Sequence, residues 1–246
     1  MEKRTTNPVF RHQVRKADFV QYGKQMTVSG TVGKTAILLL VLIVAFAYTW
    51  MTTQDWSYSQ LNSFMTFAGI ATFILALISV FVPKITRYTG ILYAALEGAF
   101  LGSFTYFVNQ SYPGIALQAV LITFAVFFTM LVLFVTRLVR VTESMRAIIM
   151  GATFGIMIFY LISFVLDLFG VSIPLFTSSS LLSIGFSLFV AGIAAFGFLI
   201  DFDNVERMSQ SNMPKYYEWY GAFGILVSLV WLYIEILNLL MKLKDR

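Results

Sequence analysis

Long apolar stretches alternate with short polar segments along almost the whole chain. Each stretch approaches the roughly 20 residues that an α-helix needs to cross the hydrocarbon core of a bilayer. Backbone groups in lipid must pair with one another, so apolar stretches of this length predict helices. The predicted spans are 35–52, 62–82, 88–108, 115–136, 147–169, 179–200 and 220–241. This pattern predicts an all-α membrane protein with a polar tail over 1–34 and a seven-helix transmembrane domain over 35–246.

The composition excludes a soluble domain. Hydrophobic residues make up 59% of the 246 residues and charged residues only 12%, against about 45–50% and 25% in soluble domains. The chain has no cysteine and one histidine, His12, which leaves no thiolate or histidine metal site. No hydrolase or nucleotide-binding motif is present either, so we expect neither enzyme chemistry nor a tightly bound cofactor.

Lysine and arginine are distributed unequally between alternate polar segments. Fourteen lie in the tail and in the connections 83–87, 137–146 and 201–219, whereas the alternate connections 53–61, 109–114 and 170–178 contain none. Because cytoplasmic segments carry the excess of basic residues, the N-terminus is predicted to be cytoplasmic. Three basic residues at the C-terminus oppose this rule if there are seven full crossings, which we still favour. The net charge of +5 thus reflects orientation and anionic lipid heads, and predicts no nucleic-acid partner.

The charged residues within or at the edge of a span are all acidic, namely Glu97, Asp167, Asp201 and Glu235. A charge in the bilayer is costly, so each is a functional candidate that is expected to face the protein interior. Burial raises the pKa of a carboxyl group, and two carboxyls that share a site raise one of their pKa values further. Carboxylate oxygens are also the ligands that calcium prefers.

The surroundings of Glu97 and Asp167 leave two interpretations open for each. Glu97 is followed by Gly98 and Gly102, whose spacing predicts close packing against another helix. It is equally consistent with a protonated, buried glutamate that has no transport role. Asp167 lies near the outer end of its span, where it is either a residue of an ion pathway or, as we favour, an interfacial acid whose carboxylate is in water. A second glycine pair at 151 and 155 predicts helix packing.

The acids of the last two spans differ in their local settings. On a helix, Asp203 points about 200° away from Asp201, so the two do not share a face. Both are also consistent with helix-terminal acids near basic connections, and Lys84 lies at a depth that would allow it to pair with Asp201. Glu235 is followed one turn later by Asn238 on the same face, which predicts an internal polar site.

Four stretches resemble the Bax inhibitor-1 family, also called transmembrane Bax inhibitor motif proteins, and look most like its prokaryotic branch. They are residues 26–35, 93–102 around Glu97, 201–203 and 231–235. The resemblance covers nearly the whole chain. It implies a bundle whose last helix is wrapped by the other six, located in the cell (inner) membrane, and a calcium leak that responds to pH.

In the family, an acid of span six and an acid of span seven form a hydrogen-bonded pair that senses pH, and a basic residue before span three latches onto the first acid. The resemblance implies Asp201 and Glu235 for the pair, with calcium expected there, and Lys84 for the latch. The span-seven acid is glutamate where well-described relatives have aspartate. The 34-residue separation is also long for a hairpin, and fits if 214–224 lies along the interface and the helix starts near 225.

These observations predict a pH-sensitive cation (calcium) leak gated by the carboxyl pair. Glu97, Asp167, Asp203 and Asn238 are candidates for the ion pathway, and the bilayer, calcium and protons are the expected partners. One alternative is a proton-coupled transporter that uses the same acids, although no clear internal repeat is present. Another is a non-transporting membrane protein that modulates a partner, such as a membrane protease, through the tail.

Overall fold

The computed structural model describes residues 25–171, 173 and 178–246. Its helices are α1 Val28–Thr52, α2 Tyr58–Phe81, α3 Thr86–Ser111, α4 Ile115–Val135, α5 Glu143–Leu168, α6 Leu181–Gln210 and α7 Tyr217–Lys244. Short 3₁₀ turns cover Thr53–Asp55 and Pro83–Ile85. All seven long helices have the length and the apolar composition to cross a membrane. The prediction of an all-α, seven-helix membrane bundle is confirmed.

Hydroxyl side chains mark the start of four helices. Thr27, Ser57, Thr142 and Ser180 each accept a hydrogen bond from the backbone N–H three residues later, before α1, α2, α5 and α6 respectively. These caps satisfy backbone donors that the first helical turn leaves unpaired. Polar residues therefore define where apolar helices begin, and this explains why short polar segments separate the spans so sharply.

Helix α7 is the central helix of the bundle. It packs against α1, α3, α4 and α6, while α2 contacts mainly α3 and α5 contacts mainly α6. Half of its 28 residues are buried, including Leu226, Leu232 and Leu237. Helix α5, in contrast, is largely exposed. The central position expected for the last helix is therefore confirmed.

Two glycine pairs were expected to support close packing, and only one does. A methyl group at Gly98 or at Gly102 of α3 would collide with the backbone carbonyl oxygen of Leu42 or of Phe46 in α1. The prediction for this pair is confirmed. The prediction for Gly151 and Gly155 is wrong, because a Cβ at either position would meet no atom within 4 Å. This pair lies on an exposed face of α5, away from the contact with α6.

The two termini of the described chain lie at opposite ends of the bundle. One end carries the basic connections 83–87, 137–146 and 201–219, and we call it the basic end. There the Met26 N–H donates to the carbonyl oxygen of Met213 at 2.8 Å. At the opposite end, Lys244 Nζ donates to the carbonyl oxygen of Pro113 at 3.1 Å. There the Tyr112 hydroxyl also donates to Asp245 at 2.6 Å, and this hydrogen bond raises the pKa of Tyr112. Helix α7 thus runs from one end of the bundle to the other, as seven full crossings require.

Two helix boundaries differ from the predicted spans by seven residues or more. Helix α1 begins at Val28 rather than 35, so residues 28–34, which were assigned to the tail, belong to the bundle. The hydroxyls of Thr31 and Thr35 donate to carbonyl oxygens one turn earlier, which satisfies these polar residues within the helix. Helix α6 continues ten residues past its predicted end, to Gln210. Helix α7 then starts at 217, so the expectation of an interfacial segment over 214–224 is wrong.

Candidate functional site

Asp201 lies on the face of α6 that meets α7. Its Oδ2 atom accepts a hydrogen bond from the Ser228 hydroxyl at 2.5 Å. The carboxyl lines a cavity of about 480 Å³ between α2, α6 and α7, which we call the Asp201 cavity. Other lining residues, among them Asn204, Arg207 and Tyr220, belong to the end of α6 and the start of α7. The Asp201 cavity therefore extends from the basic end of the bundle toward its middle.

Glu235 lies inside the bundle on α7, with 2% of its surface exposed. Its Oε1 atom accepts hydrogen bonds from the Tyr160 hydroxyl at 2.6 Å and from the Trp231 indole N–H at 3.1 Å. Its Oε2 atom is buried and has no hydrogen-bond partner among the described residues. One oxygen of this carboxyl is thus fixed by two donors, and the other is left for a proton or a ligand.

Glu235 lines a second cavity, of about 440 Å³, between α3, α5 and α7, which we call the Glu235 cavity. Asn238, Ser163 and Asp167 line it as well. Asn238 lies one turn beyond Glu235, where the sequence placed it, and Asp167 is exposed at the end of α5. Since these residues lie toward the end where α5 and α7 terminate, this cavity extends toward the end opposite the basic one.

The predicted hydrogen-bonded pair of Asp201 and Glu235 is not formed. Ser228, the partner of Asp201, precedes Glu235 by seven residues, which is two helical turns or about 10 Å along the axis. The reason is the position of the turn. The connection between Gln210 and Tyr217 centres the hairpin near 213–214, so the α7 residue opposite Asp201 is expected near 226, close to Ser228.

The predicted latch is not formed either. Lys84 lies in the 3₁₀ turn before α3 and is exposed, and it makes no ion pair within the described part of the chain. Asp201 therefore has a neutral hydroxyl, not an ammonium group, as its partner.

Asp203 faces away from Asp201, as its spacing predicts. It forms ion pairs with Arg146 of α5 and with Arg207, whose Nε lies 2.7 Å from Asp203 Oδ2. Asp203 lines neither the Asp201 cavity nor the Glu235 cavity. Its contacts therefore link α5 to α6.

Glu97 is buried, with 6% of its surface exposed, and lies near Thr72 of α2. It lines neither of the two cavities. Glu97 thus lies in the contact between α3 and α2, and it faces the protein interior as expected.

Several neutral partners of the acids were missed in the sequence. Ser228, Tyr160 and Trp231 donate hydrogen bonds to the two carboxyls, and all three lie in apolar stretches, where a neutral donor does not stand out as a charged residue does. Trp231 precedes Glu235 by four residues, and that spacing was a usable signal. Tyr160 comes from another helix, so no local pattern in the sequence could have identified it.

A second missed group joins the start of α1 to the start of α7. Glu218 is 1% exposed, and its Oε1 accepts hydrogen bonds from the backbone N–H and the hydroxyl of Thr27 at 3.1 and 3.0 Å. Its Oε2 forms an ion pair with Lys34. Gly30 makes room for this carboxylate, because a Cβ there would collide with it. We call these four residues the α1–α7 clamp.

The fold and the acids inside it define a multi-pass helical membrane protein with carboxyl groups on the two helices that form its last hairpin. A family model described as Bax inhibitor 1 like matches residues 7–245. The chain therefore belongs to the Bax inhibitor-1 family, as its sequence resemblance indicated. No curated protein and no solved structure matches the chain.

Proposed function

We propose that this chain is a proton-regulated cation leak of the cell membrane, with calcium as the permeant ion. The observation that carries the proposal is the arrangement of the two cavities. One extends from each end of the bundle, and each reaches a carboxyl group of the last hairpin, Asp201 or Glu235. A route of this kind provides oxygen ligands for a cation at two depths, where the bilayer itself offers none.

The barrier between the cavities is the two turns of α7 from Ser228 to Glu235. Trp231 lies one turn from each of these residues, and its indole ring is fixed by the hydrogen bond to Glu235. The neighbouring Leu232 is fully buried. Bulky apolar side chains therefore fill the space that a cation would have to cross, and we assign this arrangement to the closed state.

The Glu235 cavity offers the better cation site of the two. The unpartnered Oε2 of Glu235 is available, and oxygen-bearing side chains of Asn238, Ser163 and Asp167 line the same space. Oxygen ligands of mixed charge are typical of calcium sites. Asp201, in contrast, shares its cavity with only one oxygen-bearing amide among the described residues, Asn204. Arg207 also lines that cavity, and its charge is already paired with Asp203 and Glu143.

The direction of the pH response follows from the charge of these carboxyls. A protonated Glu235 is neutral, whereas an ionised Glu235 carries a buried charge that the buried Lys242 offsets in part and that a bound cation would offset further. We therefore expect the leak to increase as pH rises. Because Asp201 and Glu235 have separate hydroxyl partners, in this proposal each acid titrates with its own neighbours and the two do not share a proton.

The experiment that tests this proposal measures calcium entry into proteoliposomes that contain a calcium dye, at several pH values between about 6 and 8. Glu235→Gln and Asp201→Asn should reduce the flux and flatten its pH dependence. Asp55→Asn is the control, since Asp55 is an exposed acid that lines neither cavity. Absence of calcium flux at every pH, or variants of both acids that match the wild type, would refute the proposal.

The proposal includes a cytoplasmic N-terminus, which would place the basic end of the bundle in the cytoplasm. The chain has no cysteine, so single cysteines report on each side. Ser211→Cys lies in the connection at the basic end, and Ser111→Cys lies at the opposite end. A membrane-impermeant maleimide added outside intact cells should label only Ser111→Cys. Labelling of Ser211→Cys alone would show the opposite orientation and refute this part of the proposal.

A further inference from the structure

An open groove runs between α1 and α4 on the surface of the bundle. Both helices pack against α7, and the groove between them has a volume of about 560 Å³. Phe202 of α6 and Leu229 of α7 contribute to its floor, and Ala36 of α1 with Phe128 and Leu131 of α4 to its walls. Phe128 is 55% exposed, so the groove opens to the outside at the depth of the spanning helices. We call it the α1–α4 groove.

The interior of the α1–α4 groove is apolar even where the sequence is polar. Thr31 and Thr35 line it, but their hydroxyls donate to the carbonyl oxygens of Thr27 and Thr31 at 3.0 Å each. The wall therefore offers few free polar groups, and an occupant would gain by burying hydrocarbon. A groove of this chemistry that opens sideways into a bilayer is complementary to an acyl chain.

Charged residues are gathered at one end of the groove. Arg137 and Glu206 line it there and form an ion pair at 2.5 Å. Arg140 lies beside them, is exposed, and makes no ion pair within the described residues. One positive charge thus remains uncompensated among these three residues, at the basic end of the bundle. Basic pockets between transmembrane helices are sites where anionic lipid head groups bind.

We propose that the α1–α4 groove binds an anionic phospholipid. One acyl chain lies between α1 and α4, and the phosphate head group lies against Arg137 and Arg140. This inference does not depend on the proposed leak, since it uses neither the Asp201 cavity nor the Glu235 cavity.

The absence of cysteine allows a direct test by fluorescence quenching. A fluorophore on Ala36→Cys reports on the groove, and one on Phe73→Cys, which is on the exposed surface of α2, reports on ordinary lipid contact. The full chain is placed in nanodiscs with brominated phosphatidylglycerol or brominated phosphatidylcholine as the minor lipid. At position 36 we expect brominated phosphatidylglycerol to reach half of its maximal quenching at a mole fraction about fivefold lower than brominated phosphatidylcholine does. A binding free energy of about 1 kcal/mol for one basic residue corresponds to that factor. No preference is expected at position 73.

The head-group contact is tested with arginine variants in the Ala36→Cys background. Arg137→Gln with Arg140→Gln should remove the preference for phosphatidylglycerol. Arg87→Gln is the control, because Arg87 is an exposed arginine at the same end of the bundle but outside the groove. Equal quenching by the two lipids at position 36, with both arginines present, would by itself overturn the proposal. A preference that survives the double substitution would also overturn it.

Discussion

The α1–α7 clamp should be a large contributor to the stability of the bundle. Glu218 receives two hydrogen bonds from Thr27 and an ion pair from Lys34, and it is almost fully buried. Glu218→Ala removes all three interactions and leaves Lys34, whose side chain is 16% exposed, without its partner. Breaking a buried ion pair from one side costs about 3–5 kcal/mol. Because Lys34 retains some contact with water, we expect a value near the lower limit, about 3 kcal/mol.

A double-mutant cycle separates the ion pair from the hydrogen bonds of Thr27. Glu218→Gln keeps an acceptor for Thr27 but loses the charge, so it should cost about 1–3 kcal/mol. Lys34→Met should lower the free energy of unfolding less in the Glu218→Gln background than in the wild type, because the carboxylate that pairs with Lys34 is already absent there. The measurement is reversible unfolding in mixed micelles, with Glu143→Gln as the control at an exposed ion pair. A loss below about 1 kcal/mol for Glu218→Ala would refute the reasoning.

Two further predictions concern packing and pH. Gly98→Ala should lower the free energy of unfolding by about 1–3 kcal/mol, because the new methyl group meets the backbone of α1. Gly151→Ala should be neutral or should stabilise the fold by up to about 1 kcal/mol. Thermal unfolding of both variants measures these effects, and equal losses of stability would contradict the prediction. Tyr160→Phe removes a donor to the ionised form of Glu235, so the pH at which calcium flux reaches half its maximum should move upward in proteoliposomes. A downward shift would contradict the role assigned to this hydroxyl.

The number of helices and the class of the fold follow from the lengths of the apolar runs, which is why these predictions hold. The start of α1 was missed because Thr31, Lys34 and Thr35 are polar in the sequence. In the structure the two threonine hydroxyls bond to the preceding turn, and Lys34 pairs with Glu218. Such compensation depends on neighbours, so polarity alone placed the boundary several residues too late.

The internal polar site at Glu235 could be predicted from the sequence, but the α7 partner of Asp201 could not. Asn238 follows on the same face of α7, and helical periodicity is enough to place both side chains together. Which α7 residue meets Asp201 depends on where the hairpin turns, and the charged residues near the end of α6 suggested an end ten residues too early. In the structure the helix continues through these residues, and Asp203 pairs with Arg146 and Arg207.

Helix α5 forms one wall of the Glu235 cavity and donates the Tyr160 hydroxyl, yet its main helix contact is α6 alone. Its remaining surface, including Gly151 and Gly155, faces outward. We therefore expect the surrounding lipid to help keep this wall in place. The energetics of the cavity should then depend on bilayer thickness, and the same protein should respond differently in membranes of different composition.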